Sequence, residues 1–264
     1  MTTDSQPPRR VWGMGPIADF IDRHGLRARF DALGPDKVAD VPYGGRVLRF
    51  HIPDAMTDKM QIPALMGRLH EAPLLERFAG LAAPGGVVLD LGANHGSHTV
   101  FFAAIMGARR VHAFEPQPRM AVILRKTVAL NGLSNVVVHQ AAVGARAGHV
   151  RLAQSNAENT GMASFRPDPG GDVAMVAIDQ VVTDAPVTAI KIDIEGMQMP
   201  ALRGMVRTLR RDRPVLWLEL RPAKGEVEAP TAWLARLGYQ PIQVGFRDFF
   251  FLPTGVSGGP EPGA

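Results

Sequence analysis

Two clusters of residues carry the chemistry open to this chain. The first is Asp90-Leu91-Gly92-Ala93-Asn94-His95-Gly96, a glycine-bearing turn between the apolar run Val87-Val88-Leu89 and a helix-like stretch. Glycines permit positive φ and close approach of the main chain, so a ligand can lie against such a turn. Asn94, between them, is one of the few other residues that tolerate left-handed backbone. Glu115 ends the next strand-like run, and an acidic side chain there can accept hydrogen bonds from both hydroxyls of a ribose. A dinucleotide site calls for G-x-G-x-x-G, whereas the spacing here is Gly92-x-x-x-Gly96. Asp90 would also sit badly beside a pyrophosphate. It suits the ammonium group or the sulfonium of S-adenosylmethionine.

The second cluster is Ile190-Lys191-Ile192-Asp193-Ile194-Glu195. Strand alternation puts Lys191, Asp193 and Glu195 on one side of the chain. Charges at the carboxyl end of a central strand are costly unless paired or used, and open α/β sheets bind ligands at that end. Asp193 is the first choice to orient or deprotonate an acceptor hydroxyl. Lys191 would hold it ionised, since a neighbouring cation lowers a carboxyl pKa. The alternative is a structural Lys191–Asp193 pair, with Glu195 set near the next helix N-terminus, where the dipole favours it. Asp193, Glu195 and Glu219 offer oxygen ligands for a hard cation, but no dedicated metal spacing is present. His95 and His98 flank the glycine turn; an imidazole there is a candidate base, and the alternative, the favoured one, is that both are helix-start residues.

These residues need a frame. Short apolar runs at residues 87–91, 110–115, 136–138, 187–194 and 214–220 alternate with helical patterns at 97–106, 118–130, 196–211 and 229–237. That alternation reads as a parallel sheet with helical crossovers. Runs at 240–244 and 248–252 read as a terminal antiparallel pair. Ahead of the sheet, the spacing predicts helices over 16–33 and 62–81 and a strand over 46–52 after the Gly44-Gly45 turn. A polar stretch from 154 to 171 is too long for an ordinary connection and reads as functional or disordered. Asp179 is placed to cap a short helix. Residues 1–10 and 254–264 read as disordered tails.

Composition narrows the functions. The 264 residues are 46% hydrophobic and 20% charged, enough for a sizeable core. No run of about eighteen apolar residues is present, so a transmembrane helix is not expected, and no apolar leader stretch is seen; a cytoplasmic protein is expected. Cysteine is absent, which excludes disulfides, zinc–thiolate sites and thiol nucleophiles. The net charge is +4 and the pI 9.8, but the arginines are scattered rather than gathered in a stripe, so a nucleic-acid partner is not favoured.

Asp90-Leu91-Gly92-Ala93-Asn94-His95-Gly96, Ala113-Phe114-Glu115-Pro116, Ala142-Val143-Gly144 and Lys191-Ile192-Asp193-Ile194-Glu195-Gly196 together resemble the signature blocks of FkbM-type methyltransferases. The resemblance implies an α/β, Rossmann-like class I methyltransferase fold, with S-adenosyl-L-methionine as cofactor. That fold is a seven-stranded, mostly parallel sheet with an antiparallel last strand and helices on both faces. It further implies O-methylation of a hydroxyl on a small molecule or sugar. By the family's roles, Asp90, Gly92, Asn94 and Gly96 meet the cofactor's amino-acid end, and Glu115 holds the ribose. Gln140 and Ala142 border the adenine; relatives often carry an acid where Gln140 stands, and an amide oxygen accepts the same bond. Asp193, Lys191, Glu195 and His98 are the catalytic candidates. Residues 85–253 would form the cofactor-binding domain. Residues 11–84 would be a helix and hairpin extension capping the acceptor side, with 154–171 beside it. An RNA ribose 2′-O-methyltransferase, a non-catalytic S-adenosylmethionine-binding module and, more distantly, a nicotinamide dehydrogenase are the competing readings.

Overall fold

A computed structural model describes residues 17–156 and 158–255, so the tail expected at 1–10 and nearly all of that at 254–264 lie outside the described residues. The chain begins with α1 (Ile17–Arg23) and α2 (Leu26–Ala32), then the antiparallel hairpin β1 (Val38–Tyr43) and β2 (Arg46–His51). The turn between these strands is Gly44-Gly45, both at positive φ, as two-residue hairpins require. The single helix expected over 16–33 breaks at Gly25, which is left-handed. The helix expected over 62–81 is likewise divided, into α3 (Ile62–Leu65) and α4 (Ala72–Leu81). Gly67 and Glu71 both take positive φ between them, and the apolar spacing conceals that break.

Next come β3 (Val87–Leu91), α5 (Ser97–Ala104), β4 (Arg110–Phe114), α6 (Pro118–Leu130) and β5 (Val136–His139). A second sheet follows, built from β6 (Ala142–Val143), β7 (Gly148–Gln154), β8 (Ser164–Pro167) and β9 (Val173–Val176) in the order β6-β9-β7-β8. The stretch 154–171 is therefore not irregular throughout. Its second half pairs with β7, and a 3-10 turn (Thr160–Met162) precedes that strand. The chain closes with α7 (Ile178–Val181), β10 (Val187–Ile192), α8 (Gln198–Arg203), α9 (Val206–Asp212), β11 (Val215–Glu219), α10 (Glu228–Ala235), β12 (Tyr239–Gln243) and β13 (Asp248–Pro253). Asp179 caps a different helix from the one expected. Its carboxylate lies inside α7 and accepts from Arg207 N and Thr208 N at 2.8 and 2.9 Å, in the first turn of α9.

The main sheet has seven strands in the order β12-β13-β11-β10-β3-β4-β5. Its β11-β10-β3-β4-β5 stretch is parallel, and β13 runs antiparallel to both of its neighbours. Alternation divides the side chains between two cores. Leu89, Leu91, Ile190, Ile192, Leu216 and Leu218 enter one, against α8, α9 and α10. Trp217, Phe250 and Val88 enter the other, together with Phe78 of α4, Phe101 and Phe102 of α5 and Phe50 of β2. Residues 17–81 thus share a core with the sheet. Among the described residues, no helix is long and apolar enough to cross a membrane.

Candidate functional site

The carboxyl ends of β3, β4, β10 and β11 open on a cavity of about 860 Å³. Its walls come from the turn after β3, the 3-10 turn at Thr160 and the segment between α3 and α4. Open α/β sheets bind their ligands at this edge.

Gly92 and Asn94 line the cavity, and the glycine is also needed for the protein's own packing. A Cβ on Gly92 would stand 1.9 Å from the carbonyl oxygen of Asp193. Asp193 N donates to Leu91 O at 2.9 Å, so the ends of β3 and β10 close on each other where the side chain is missing. Gly96 does not line the cavity. It opens α5 at positive φ, and a Cβ there would meet Leu124 at 2.7 Å, so its role is helix packing.

Asp90 also departs from expectation. It is in register with Lys191 across β3 and β10, is fully buried on the face covered by α5 and does not line the cavity. Thr99 Oγ1 donates to its Oδ2 at 2.6 Å, while its other oxygen is sealed without a hydrogen-bond partner among the described residues. The period-two rule explains this: Leu89 and Leu91 face the opposite core, so Asp90 between them must face α5.

Glu115 stands at the cavity wall just past β4, buried to 2% exposure. Its Oε2 accepts from Asn94 N at 2.9 Å and its Oε1 from Gln117 N at 2.8 Å. Burial raises its pKa to about 7, against the pull of those two amides. Gln140 does not reach the cavity. It is exposed and its Oε1 accepts from Arg125 at 3.3 Å, whereas Ala141 and Ala142 line the wall.

Lys191 Nζ donates to Asp193 Oδ2 at 2.9 Å. Burial works against the charge on Lys191, but Asp193, Asp90 and Glu71 together hold it protonated. Glu219 at the end of β11 has its pKa raised, first by the charge of Asp193 and then by burial. Because β10 stops at Ile192, the alternation does not carry through to Glu195. Glu195 instead pairs with Arg221 at 2.5 Å, at the cavity edge, and Arg221 also grips Glu226. With Asp193 and Glu195 so engaged, no group of three or more metal-ligating side chains is found among the described residues.

The two histidines part company. His95 is buried against Phe50, does not line the cavity, and burial lowers its pKa to about 3. His98 lines the cavity, with Nε2 3.2 Å from Oε2 of Glu71. Glu71 and its neighbour His70 belong to the site yet lie in the stretch read as unbroken helix. Gly67 and Pro73 on either side were the available signal. Thr160 is a second addition. Its Oγ1 donates to the buried Asp58 at 2.7 Å and accepts from Asn94 Nδ2 at 2.9 Å, while its carbonyl accepts from Gln117 at 3.0 Å. The segment near 160 is thereby tied both to the turn after β3 and to the N-terminal extension.

The family model for the methyltransferase FkbM domain matches residues 90–241, more than half of the chain. The chain belongs to the FkbM methyltransferase domain family. Among solved structures, this FkbM chain is similar to a methyltransferase FkbM from Methylobacillus flagellatus, with 16% identity and a TM-score of 0.50. That match covers 89% of this chain but only 60% of the other. A candidate methyltransferase from Streptococcus mutans, solved with S-adenosylhomocysteine, gives 14% identity, a TM-score of 0.46 and coverage of 68% and 93%. A candidate rRNA methylase from Clostridium thermocellum gives 12%, 0.46, 68% and 91%. At 16% identity the likeness to the Methylobacillus flagellatus protein is one of fold. No curated protein matches the sequence. FkbM membership implies S-adenosylmethionine, and the donor set fits a ribose. A buried carboxylate, Glu115, lines the wall with each oxygen engaged by a single amide, leaving acceptor capacity for two hydroxyls.

Proposed function

We propose that this FkbM-family chain binds S-adenosylmethionine in the cavity above β3 and transfers its methyl group to a hydroxyl of a small molecule or sugar. The observation that carries the reading is the placement of Glu115 and the Lys191–Asp193 pair at the carboxyl ends of β4 and β10, the two strands that flank β3. One side offers a carboxylate for a ribose, the other a charged pair for an acceptor, and Gly92 lies between them.

The bound cofactor would supply an activated methyl group. The chain's own residues then have two tasks, alignment and proton removal. The Glu115 carboxylate, steadied by Asn94 N, holds the ribose side, and Ala142 leaves room on the adenine side. Asp193, held by Lys191, borders the acceptor and sets its approach; in-line displacement depends steeply on that alignment. Residues 59–71 and the segment around Thr160 supply the acceptor-side walls.

Parallel calorimetric titrations with S-adenosylhomocysteine and NAD test the reading. Binding of S-adenosylhomocysteine alone supports it, and a preference for NAD ends it. Release of S-adenosylhomocysteine is then followed over a panel of hydroxylated small molecules, sugars and bulk RNA. Methylation of RNA alone, with binding that weakens steeply with salt, would move the acceptor to nucleic acid.

A further inference from the structure

We infer that Glu71, from the segment between α3 and α4, fixes His98 as the general base that takes the acceptor's proton, with Glu71 as its positioning residue. This inference rests on the methyl-transfer reading above. His98 lies in the first turn of α5, and its ring lines the cavity. Its Nε2 is sealed from solvent 3.2 Å from Oε2 of Glu71, within ion-pair reach, although no hydrogen bond closes between them in this structure. No hydrogen-bond partner of its Nδ1 is found among the described residues.

A carboxylate charge this close to Nε2 favours the tautomer with its proton there, and a small turn of the ring would close the N–H···O bond, leaving the lone pair of Nδ1 for the cavity. Asp193 is less suited to the task, because Lys191 already occupies one of its oxygens at 2.9 Å. Glu71 is held at φ 55, a conformation uncommon for a residue with a side chain. Its carbonyl accepts from Leu74 N and Leu75 N at 2.9 and 3.0 Å, which anchors it at the start of α4. Burial raises the Glu71 pKa, but His98, His70 and Lys191 outweigh it and hold the carboxyl at about 2. Around the His98 ring stand His70, stacked at 5.8 Å, and Trp217 at 5.4 Å, and the Lys191–Asp193 pair lines the same cavity.

In the reaction, the acceptor oxygen forms its bond to the methyl carbon as its O–H bond breaks and the proton passes to Nδ1. The electron pair of the broken C–S bond stays on sulfur and cancels its positive charge. The imidazolium that results faces the Glu71 carboxylate and later releases the proton to water. Glu71 lies outside residues 90–241, so the N-terminal extension would supply part of the catalytic apparatus.

The test uses the full chain saturated with S-adenosylhomocysteine. Long-range nitrogen–proton imidazole spectra at about pH 9, where imidazoles are neutral, report the tautomer of His98, assigned through His98→Gln. The Nε2–H form should dominate in the wild type. It should persist in Glu71→Gln, whose amide oxygen still accepts, and give way to a mixture in Glu71→Ala. A dominant Nδ1–H form in the wild type, or a tautomer indifferent to Glu71→Ala while S-adenosylhomocysteine still binds, overturns the inference. Failure of the wild type to bind S-adenosylhomocysteine overturns the methyl-transfer reading instead.

Discussion

Replacing Gly92 by alanine separates two costs that the structure assigns to one residue. The backbone at Gly92 has φ +87, where a side chain costs about 1–2 kcal/mol. The added Cβ would also meet Asp193 O at 1.9 Å. To restore ordinary packing, that carbonyl must retreat by about 1.5 Å, although Asp193 N is pinned to Leu91 O. Overpacking of this kind costs about 1–3 kcal/mol, so the total is about 2–5 kcal/mol. Gly107 is the control. It has φ +74, but a Cβ added there would meet nothing within 4 Å, so Gly107→Ala carries the conformational cost alone. For a chain of this size each kcal/mol moves Tm by about 2–4 °C. Thermal unfolding followed by far-UV circular dichroism should thus show a larger loss for Gly92→Ala than for Gly107→Ala. Retreat of Asp193 also displaces its carboxylate, and a shift of about 1 Å at a positioning group costs about 10²-fold in turnover. If Gly92→Ala loses no more stability than Gly107→Ala, the close approach of β3 and β10 is not what requires this glycine.

Three further outcomes follow from the site. Glu115 has a folded-state pKa of about 7 against 4.5 unfolded, so between these values the folded chain holds a proton that the unfolded chain has lost. Stability should fall as pH rises through this window, by of order 3 kcal/mol, and Glu115→Gln should remove that dependence in urea titrations. Because ribose hydroxyls favour the ionised carboxylate, S-adenosylhomocysteine should bind more tightly as pH rises through 7 in the wild type but not in Glu115→Gln. Asp193→Asn keeps the shape but loses the charge, and should lower turnover by about 10²-fold with cofactor affinity nearly unchanged. Normal turnover in that variant would make Asp193 a structural partner of Lys191. Thr160→Val removes the hydroxyl between Asn94 and the buried Asp58, costing about 1–3 kcal/mol and weakening S-adenosylhomocysteine several-fold by calorimetry. Unchanged affinity would assign the segment at 160 to the acceptor alone.

What the sequence determined by itself was local and periodic. The β3 turn, Glu115 at the end of β4 and the Lys191–Asp193 pair all follow from apolar runs that stop at polar residues. Short-range sterics and alternation act within a few residues, so they are written in the chain. The bounds of α6, with Pro118 at its start and Asn131 at its end, were legible for the same reason. Only the tertiary structure decided which way each polar residue faced and what it met. Asp90 reads like a ligand contact, yet α5 packs over its face of the sheet and gives it Thr99 instead. Gly92 reads like room for a ligand, and the fold adds a second need for it, the close approach of Asp193. His95 and His98 are alike in sequence, but α5 places one against Phe50 and the other on the cavity. Glu71, Asp58 and Thr160 join the site across 27, 36 and 66 residues measured from His98, Asn94 and Asn94 respectively. Contacts of that separation depend on chain closure and shared packing, and no local pattern encodes them.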